Sequence, residues 1–272
     1  VAKDKAEIEV CLAGKKLLEN VGFLFWRIGC VGSFSVKTVK GQNYYRLFIR
    51  GADKFSILSP QLDFLIDYKK ERLFNNSLRK SNTNVDIVPN TAPHLRRLLE
   101  LLQMSQPQHE SSGINNYLYR IDNPSRKNLQ ILLDLFNKRI IEIEEISAQS
   151  QFPMQQVLSL GHNLNIPIQE WVKGLGLHKQ ALYEYGIGLR NASVAKQEII
   201  QYSFKQKLGL LSKNLGEAKE IVKFLQSLID SNIFFDEISK IEEIVPEYNF
   251  VYDLNVDEHN FVANGLVVHN SV

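Results

Sequence analysis

The chain is poor in several things at once. Only two cysteines, Cys11 and Cys30, occur in 272 residues, without a C-x-x-C spacing and among apolar neighbours. That excludes a disulfide framework and a cysteine zinc site, and leaves two reduced core thiols. No stretch approaches the 18 or more uninterrupted apolar residues of a membrane span, and Val1 to Glu9 alternates charged and apolar types, unlike a secretion signal. A cytoplasmic location follows by default, with no membrane partner. The first residue is Val1 rather than Met, which reads as a fragment whose N-terminal portion is missing. With 44% hydrophobic and 23% charged residues, the chain can bury real cores and by length should hold two or three domains.

Net charge is also small, +2, but unevenly spread. From Val1 to Glu100 there are 17 Lys and Arg against 10 Asp and Glu, whereas Ser231 to Asn270 holds one Lys against eight acidic residues. The basic end suits a polyanion.

The expected class is α+β. Glu7 to Leu12 alternates as a strand, and Lys15 to Ile28 sets Leu17, Leu18, Val21, Leu24, Phe25 and Ile28 on one helical stripe. Ser33–Lys40, a turn at Gly41-Gln42-Asn43, and Tyr44–Arg50 read as a β-hairpin. In its second strand Tyr45, Leu47 and Ile49 point one way, while Arg46, Phe48 and Arg50 point the other, with Lys37 a neighbour across the hairpin. A helix from Asp53 to Arg72 follows, with Phe55, Leu58, Leu62 and Leu65 inward and Pro60 a possible break. Residues 1–72 thus form one β-α-β-β-α domain, and 73–90 reads as a linker rich in Asn, Ser, Lys and Arg.

Residues 91–230 read as a helical region with a weak internal repeat. Leu95–Met104, Gly113–Tyr119, Asn123-Pro124-Ser125-Arg126-Lys127 and a helix Leu129–Phe136 line up with Met154–Leu160, Pro167–Leu175, Gly176–Tyr183 and a helix Ser193–Phe204. Both segments look like helix-turn-helix units, presenting Asn, Gln, Lys and Tyr as a major-groove reader does; the alternative is a plain bundle of short helices. Beyond Ala218 a helix runs to about Ser231, and Phe234–Ile241 opens an all-β remainder of short strands, residues 231–270.

Near the chain end, Val251-Tyr252-Asp253-Leu254-Asn255-Val256, Glu258-His259-Asn260-Phe261-Val262-Ala263-Asn264-Gly265 and Leu266-Val267-Val268-His269-Asn270-Ser271 closely resemble the last two sequence blocks of inteins. The resemblance implies the C-terminal strands of a Hint domain, with Ser271 and Val272 as residues of the host protein, the C-extein. Independently of the family, the Asn270 amide can attack its own carbonyl, closing a succinimide and breaking the bond to Ser271. His269 stands ready to donate to the carbonyl oxygen or the leaving amine, and His259 to assist from a preceding strand. By resemblance Ser271 accepts the upstream acyl group, and Asp253 holds the position that couples the two junctions. Thr91-Ala92-Pro93-His94 imitates the T-x-x-H of another intein block, but Thr91 as N-cap and Pro93 in the first turn explain it without chemistry. Asn264-Gly265 is most simply a type I′ turn.

The β-α-β-β-α segment resembles the second half of a LAGLIDADG homing endonuclease lobe without its motif helix. The resemblance implies a sheet in the DNA major groove, a double-stranded DNA partner, and Mg²⁺ only in a complete endonuclease; splicing itself needs no cofactor. Lys37, Arg46 and Arg50 are the DNA-facing candidates, with a solvated sheet face as the other reading. The overall expectation is the C-terminal fragment of an intein with a partial endonuclease, partnered by its missing N-terminal portion and host. The rival is a DNA-binding protein without splicing activity.

Overall fold

The structure is a computed structural model and describes residues 7–79, 86–105, 113–119, 122–166, 176–238, 240–243, 245, 248, 250, 254, 256–257, 259–263 and 265–269. The expected α+β class holds: two small antiparallel sheets accompany a large helical region. Two units divide the chain, one of 1–83 with 237–272, the other of 84–236.

In the first unit, β1 (Glu7–Leu12), β2 (Ser33–Val39) and β3 (Gln42–Arg50) form a sheet of order β1-β3-β2. Strand β3 is central because its inward residues Leu47 and Ile49 are fully buried against α1 (Lys15–Arg27) and α2 (Ala52–Leu58). The hairpin register pairs Val39 with Gln42, so Lys40 and Gly41, with φ of 50° and 80°, make a two-residue turn. Positive φ at both positions is the type I′ geometry that suits the strand twist, so the turn is tighter than the expected Gly41-Gln42-Asn43 and Asn43 joins the ladder opposite Thr38. Gly32 is required by crowding: a Cβ there would lie 2.6 Å from Ile49 Cδ1 and 2.7 Å from the Phe48 carbonyl oxygen.

The inner stripe of α1 differs from the expectation. Leu18, Val21, Phe25 and Ile28 face the core, but Leu17 and Leu24 are 58% and 61% exposed. Gly22 takes the contact position instead, since Phe34 from β2 lies where a side chain would be. The single helix expected over Asp53–Arg72 is two, α2 and α3 (Asp67–Ser77), because Pro60 stops the first; Leu65, expected inward, is fully exposed between them. Helix α3, with Leu73 buried, also reaches into the stretch expected as a linker.

The second unit is helical: α4 (Ala92–Leu101), α5 (Ile114–Leu118), α6 (Arg126–Ser147), α7 (Met154–Asn163), α8 (Lys179–Gly186), α9 (Val194–Lys213) and α10 (Leu215–Asp230). Helix α6 is its spine. The apolar spacing expected to end at Phe136 continues through Ile140, Ile143 and Ile146, all buried, and packs against α9 and α10. Leu228, Ile229, Ser231 and Ile233 all present backbone carbonyls to the Arg126 guanidinium, whose Nε also reaches Asp86 Oδ1 at 3.0 Å. One cation thus seals the C-terminus of α10 and ties together the two ends of this unit.

The internal repeat is visible as geometry. Helices α4 and α7 each end in a residue of positive φ, Gln103 at 46° and Asn165 at 54°. Each is closed by the same pair of bonds: Gln103 N to Glu100 O with Met104 N to Leu99 O, and Asn165 N to His162 O with Ile166 N to Gly161 O. Left-handed Gly113 and Gly176 follow, then the short helices α5 and α8, then seven residues, then extended Ser125 and Ser193 before the long helices α6 and α9. Arg139, 3% exposed, donates to carbonyls of Leu102 and Asn163, so one buried guanidinium serves the C-termini of both equivalent helices.

The all-β remainder is narrower than expected. Among the described residues after Asp230, the strands are β4 (Asn260–Ala263) and β5 (Leu266–His269), with no strand over the described part of Phe234–Ile241. None of the described helices is long and apolar enough to cross a membrane.

Candidate nucleic-acid interface

Strand pairing decides which side chains share the outer face of the three-stranded sheet. Glu7 stands opposite Arg50, Glu9 opposite Phe48, Ser35 opposite Arg46 and Lys37 opposite Tyr44, so all lie on one side, away from α1. Three expected DNA-facing residues, Lys37, Arg46 and Arg50, are therefore brought together, in company with two carboxylates the sequence reading did not attach to them. Arg46 Nε meets Glu9 Oε1 at 2.6 Å, and Arg50 Nε meets Glu7 Oε2 at 2.5 Å. Both guanidiniums lie over the Phe48 ring, 4.4 and 4.6 Å from its centre, and leave Phe48 only 8% exposed. The hydrogen bond from Arg46 holds the Glu9 carboxyl below the usual carboxylate range, with Arg46 and Lys37 charge adding to it against partial desolvation. Arg46 is raised in turn by the same bond.

The arrangement fixes two planar cations and leaves much of each free. A guanidinium has five N–H donors, and each spends Nε on its carboxylate. Among the described residues no hydrogen bond is made by the Nη atoms of Arg46 or Arg50. Arg50 is 56% exposed and Arg46 28%, and Lys37 is exposed without an ion pair among the described residues. The face can therefore accept anionic oxygens, with one positive charge in excess of its carboxylates.

A second cluster lies on the terminal hairpin. Asn260 pairs with His269 across β4 and β5, and the rings of His259 and His269 lie 6.0 Å apart, nearly parallel at 23°. His259 adopts a φ of 54° just before the strand, which swings its ring toward its partner. The turn packs within its own unit: a Cβ on Gly265 would lie 3.0 Å from Trp26 and 3.6 Å from Phe23. Asp253, Asn270 and Ser271, which complete the expected cleavage chemistry, lie outside the described residues. Asn264 of the expected turn does too, although Ala263 pairing with Leu266 leaves a two-residue connection in which Gly265 has φ 83°.

Thr91 precedes α4 as expected and Pro93 lies in its first turn, but the buried Thr91 side chain makes no capping bond, and the His94 ring lies tilted by 50° against Phe224 with centroids 5.1 Å apart. No group of three His, Cys, Asp or Glu among the described residues can hold a metal ion, so the Mg²⁺ expected of a complete endonuclease has no site to be assigned here. Of the cysteines, Cys30 is buried with its thiol pushed up by desolvation, while Cys11, expected in a core, is exposed because it shares the outer face with Arg46.

No family model matches the chain, and no solved structure matches it. It is 22% identical to a replication factor C small subunit of Thermococcus kodakarensis over 98% of this chain and 36% of that protein. It is 25% identical to a probable translation initiation factor IF-2 of the same organism over the whole chain and 20% of that protein. A shorter match of 37 residues, 51% identical, covers 13% of the chain and 4% of a tRNA-splicing ligase of Pyrococcus furiosus. The chain thus spans well under half the length of these relatives, and its likeness is shared among proteins of three different names.

These relatives correct the identification expected from the sequence. Over nearly the full chain their names are those of a replication factor and an initiation factor, not of an intein or a homing endonuclease. Self-splicing at Asn270, an extein partner, and a LAGLIDADG endonuclease are accordingly not carried forward, and neither the Hint nor the LAGLIDADG fold is assigned. The resemblance rested on short blocks at the chain end, where most of the residues with an assigned role lie outside the described ones.

Proposed function

We propose that this chain associates with double-stranded DNA through the outer face of β1-β3-β2, with Arg46, Arg50 and Lys37 contacting phosphates. The observation that supports it is the pair of guanidiniums held by Glu9, Glu7 and Phe48, whose Nη atoms make no hydrogen bond among the described residues. Carboxylates that fix the angle of an arginine cost charge but reduce the rotamer freedom lost on binding. The basic balance of the first hundred residues agrees, as does the name of a relative that belongs to replication. Backbone contacts of this kind position a protein on DNA and carry no sequence preference of their own. A cytoplasmic setting suits the free, exposed Cys11.

The test is fluorescence anisotropy of the full chain on a labelled duplex at several salt concentrations, comparing the parent with Lys37→Ala/Arg46→Ala/Arg50→Ala. Each lost phosphate contact lowers the slope of log K against log salt by about 0.9, so the triple variant should lose about 2.7. An unchanged slope would refute the reading.

A further inference from the structure

The two equivalent halves of the helical unit are used differently, and the difference points to a second binding surface. In the first half, the loop before α6 is closed. Ser125, 6% exposed, accepts a bond from Asn128 N, and Arg126 is committed to Asp86 and to the carbonyls at the end of α10. In the second half the equivalent loop before α9 is open. Ser193 makes no capping bond, and Ser193, Val194, Ala195 and Lys196 are all exposed.

The charge of this half differs as well. Between Gln151 and Lys213 there are seven Lys and Arg against three Asp and Glu, whereas α6 and α10, which cover the first half, carry as many acidic as basic residues or more. Three of these cations lie on the loop and at the starts of the helices that flank it. Lys179 begins α8, Arg190 lies in the loop and is tethered to Glu184 at 3.8 Å, and Lys196 lies in the first turn of α9. Gln180 donates to the same Glu184, so α8 and the loop are joined through one carboxylate. Tyr183, 60% exposed, lies on α8 between Lys179 and the loop in sequence. Among the described residues neither Lys179 nor Lys196 makes an ion pair, while Arg126 at the start of α6 is committed to Asp86 and to the end of α10.

We infer that the α8–loop–α9 surface, carrying Lys179, Tyr183, Arg190 and Lys196, is a second contact for double-stranded DNA. A duplicated unit that keeps one copy for internal packing leaves the other free to meet a partner, and the excess of cations over this loop selects a polyanion. Cations on a short helix, a loop and the first turn of a second helix can follow a phosphate backbone, and an exposed tyrosine adds a phosphate hydrogen bond. The inference rests on the proposed DNA association but not on the sheet face.

The experiment is the same salt titration on the full chain with a mixed-sequence duplex, using Lys179→Ala/Arg190→Ala/Lys196→Ala. Lys223→Ala on α10, an exposed cation away from this loop, serves as a control, and the sheet-face triple variant is run alongside. Loss of about 2.7 from the slope in the first variant, with the control at the parental value, is the expected result. An unchanged slope there, while the sheet-face variant loses slope, would overturn this inference and leave the sheet-face reading standing. No binding by the parent would overturn both, and a loss of about 0.9 in the control, the same loss per removed cation as in the triple variant, would overturn the inference by reducing the surface to diffuse charge. Far-UV circular dichroism matching the parent confirms that each variant is folded.

Discussion

Arg126 holds the helical unit closed, and its removal should be felt throughout that unit. The side chain is 15% exposed; its guanidinium bonds carbonyls of Leu228, Ile229, Ser231 and Ile233 and the Asp86 carboxylate, and its Cζ lies 5.9 Å from the Phe235 ring. Hydrogen bonds to a charged donor contribute about 1.5–3 kcal/mol each, but several on one guanidinium are not additive, and a cation at a helix C-terminus adds up to about 2 kcal/mol when partly buried. Asp86 is 36% exposed and recovers water when left alone, which lowers the cost. Arg126→Ala should therefore destabilise the unit by about 3 kcal/mol, and Arg126→Lys, which keeps the charge but loses the fork, by about half of that. For a unit of this size the melting temperature should fall by roughly 6–12 °C in the alanine variant. Thermal unfolding followed by circular dichroism at the helical minimum reads this unit, since α4 to α10 supply most of the helix. A loss below about 1 kcal/mol, or complete recovery in the lysine variant, would refute the view that directed bonds close these ends.

Two further predictions concern the first unit. Gly32→Ala should cost about 2 kcal/mol or more, because the added Cβ meets the Phe48 carbonyl oxygen at 2.7 Å and that backbone belongs to the central strand; chemical denaturation with a midpoint near the parent's would contradict the packing. Arg46→Ala should destabilise the protein more at pH 6 than at pH 3. Glu9 is held below its ordinary value of 4.5 when folded, so its contribution is present above that value and fades as pH falls through the depressed one. A difference between parent and variant that stays constant with pH would show that the ion pair contributes nothing to β1–β3 association.

Much of the first unit was legible because its signals are local. Strand β1 has the expected bounds, and the two faces of β3 divide as alternation dictates. What failed there was set by contacts at a distance. The choice of Gly22 over Leu17 and Leu24 for the inner face of α1 depends on Phe34 arriving from β2, and no periodicity within the helix encodes that. The pairing of Arg46 with Glu9 spans 37 residues and follows from the β1–β3 register, which is decided by the crossover through α1. The basic face was therefore read without its carboxylates. In the helical unit the repeat was visible through Gly113 and Gly176 and through the helix starts near Ser125 and Ser193, because turn and cap residues carry their own conformational signal; the shared Asn-x-Ser at Asn123-Pro124-Ser125 and Asn191-Ala192-Ser193 was not read. The length of α6 was underestimated because Lys138 and Arg139 interrupt the apolar stripe; Arg139 is buried where carbonyls from two helix ends and the Glu142 carboxylate meet it.

The central claim is that Arg46 and Arg50 serve an anionic partner and not merely the strand pairing. The direct measurement is duplex affinity of Glu7→Gln/Glu9→Gln in the full chain against the parent across a salt series. If the carboxylates only orient arginines that meet phosphate, removing two negative charges should tighten binding and steepen the salt dependence, even as the sheet loses some stability. If the arginines exist to bind β1 to β3, the variant should lose stability and gain no affinity for the duplex, and that result would contradict the account.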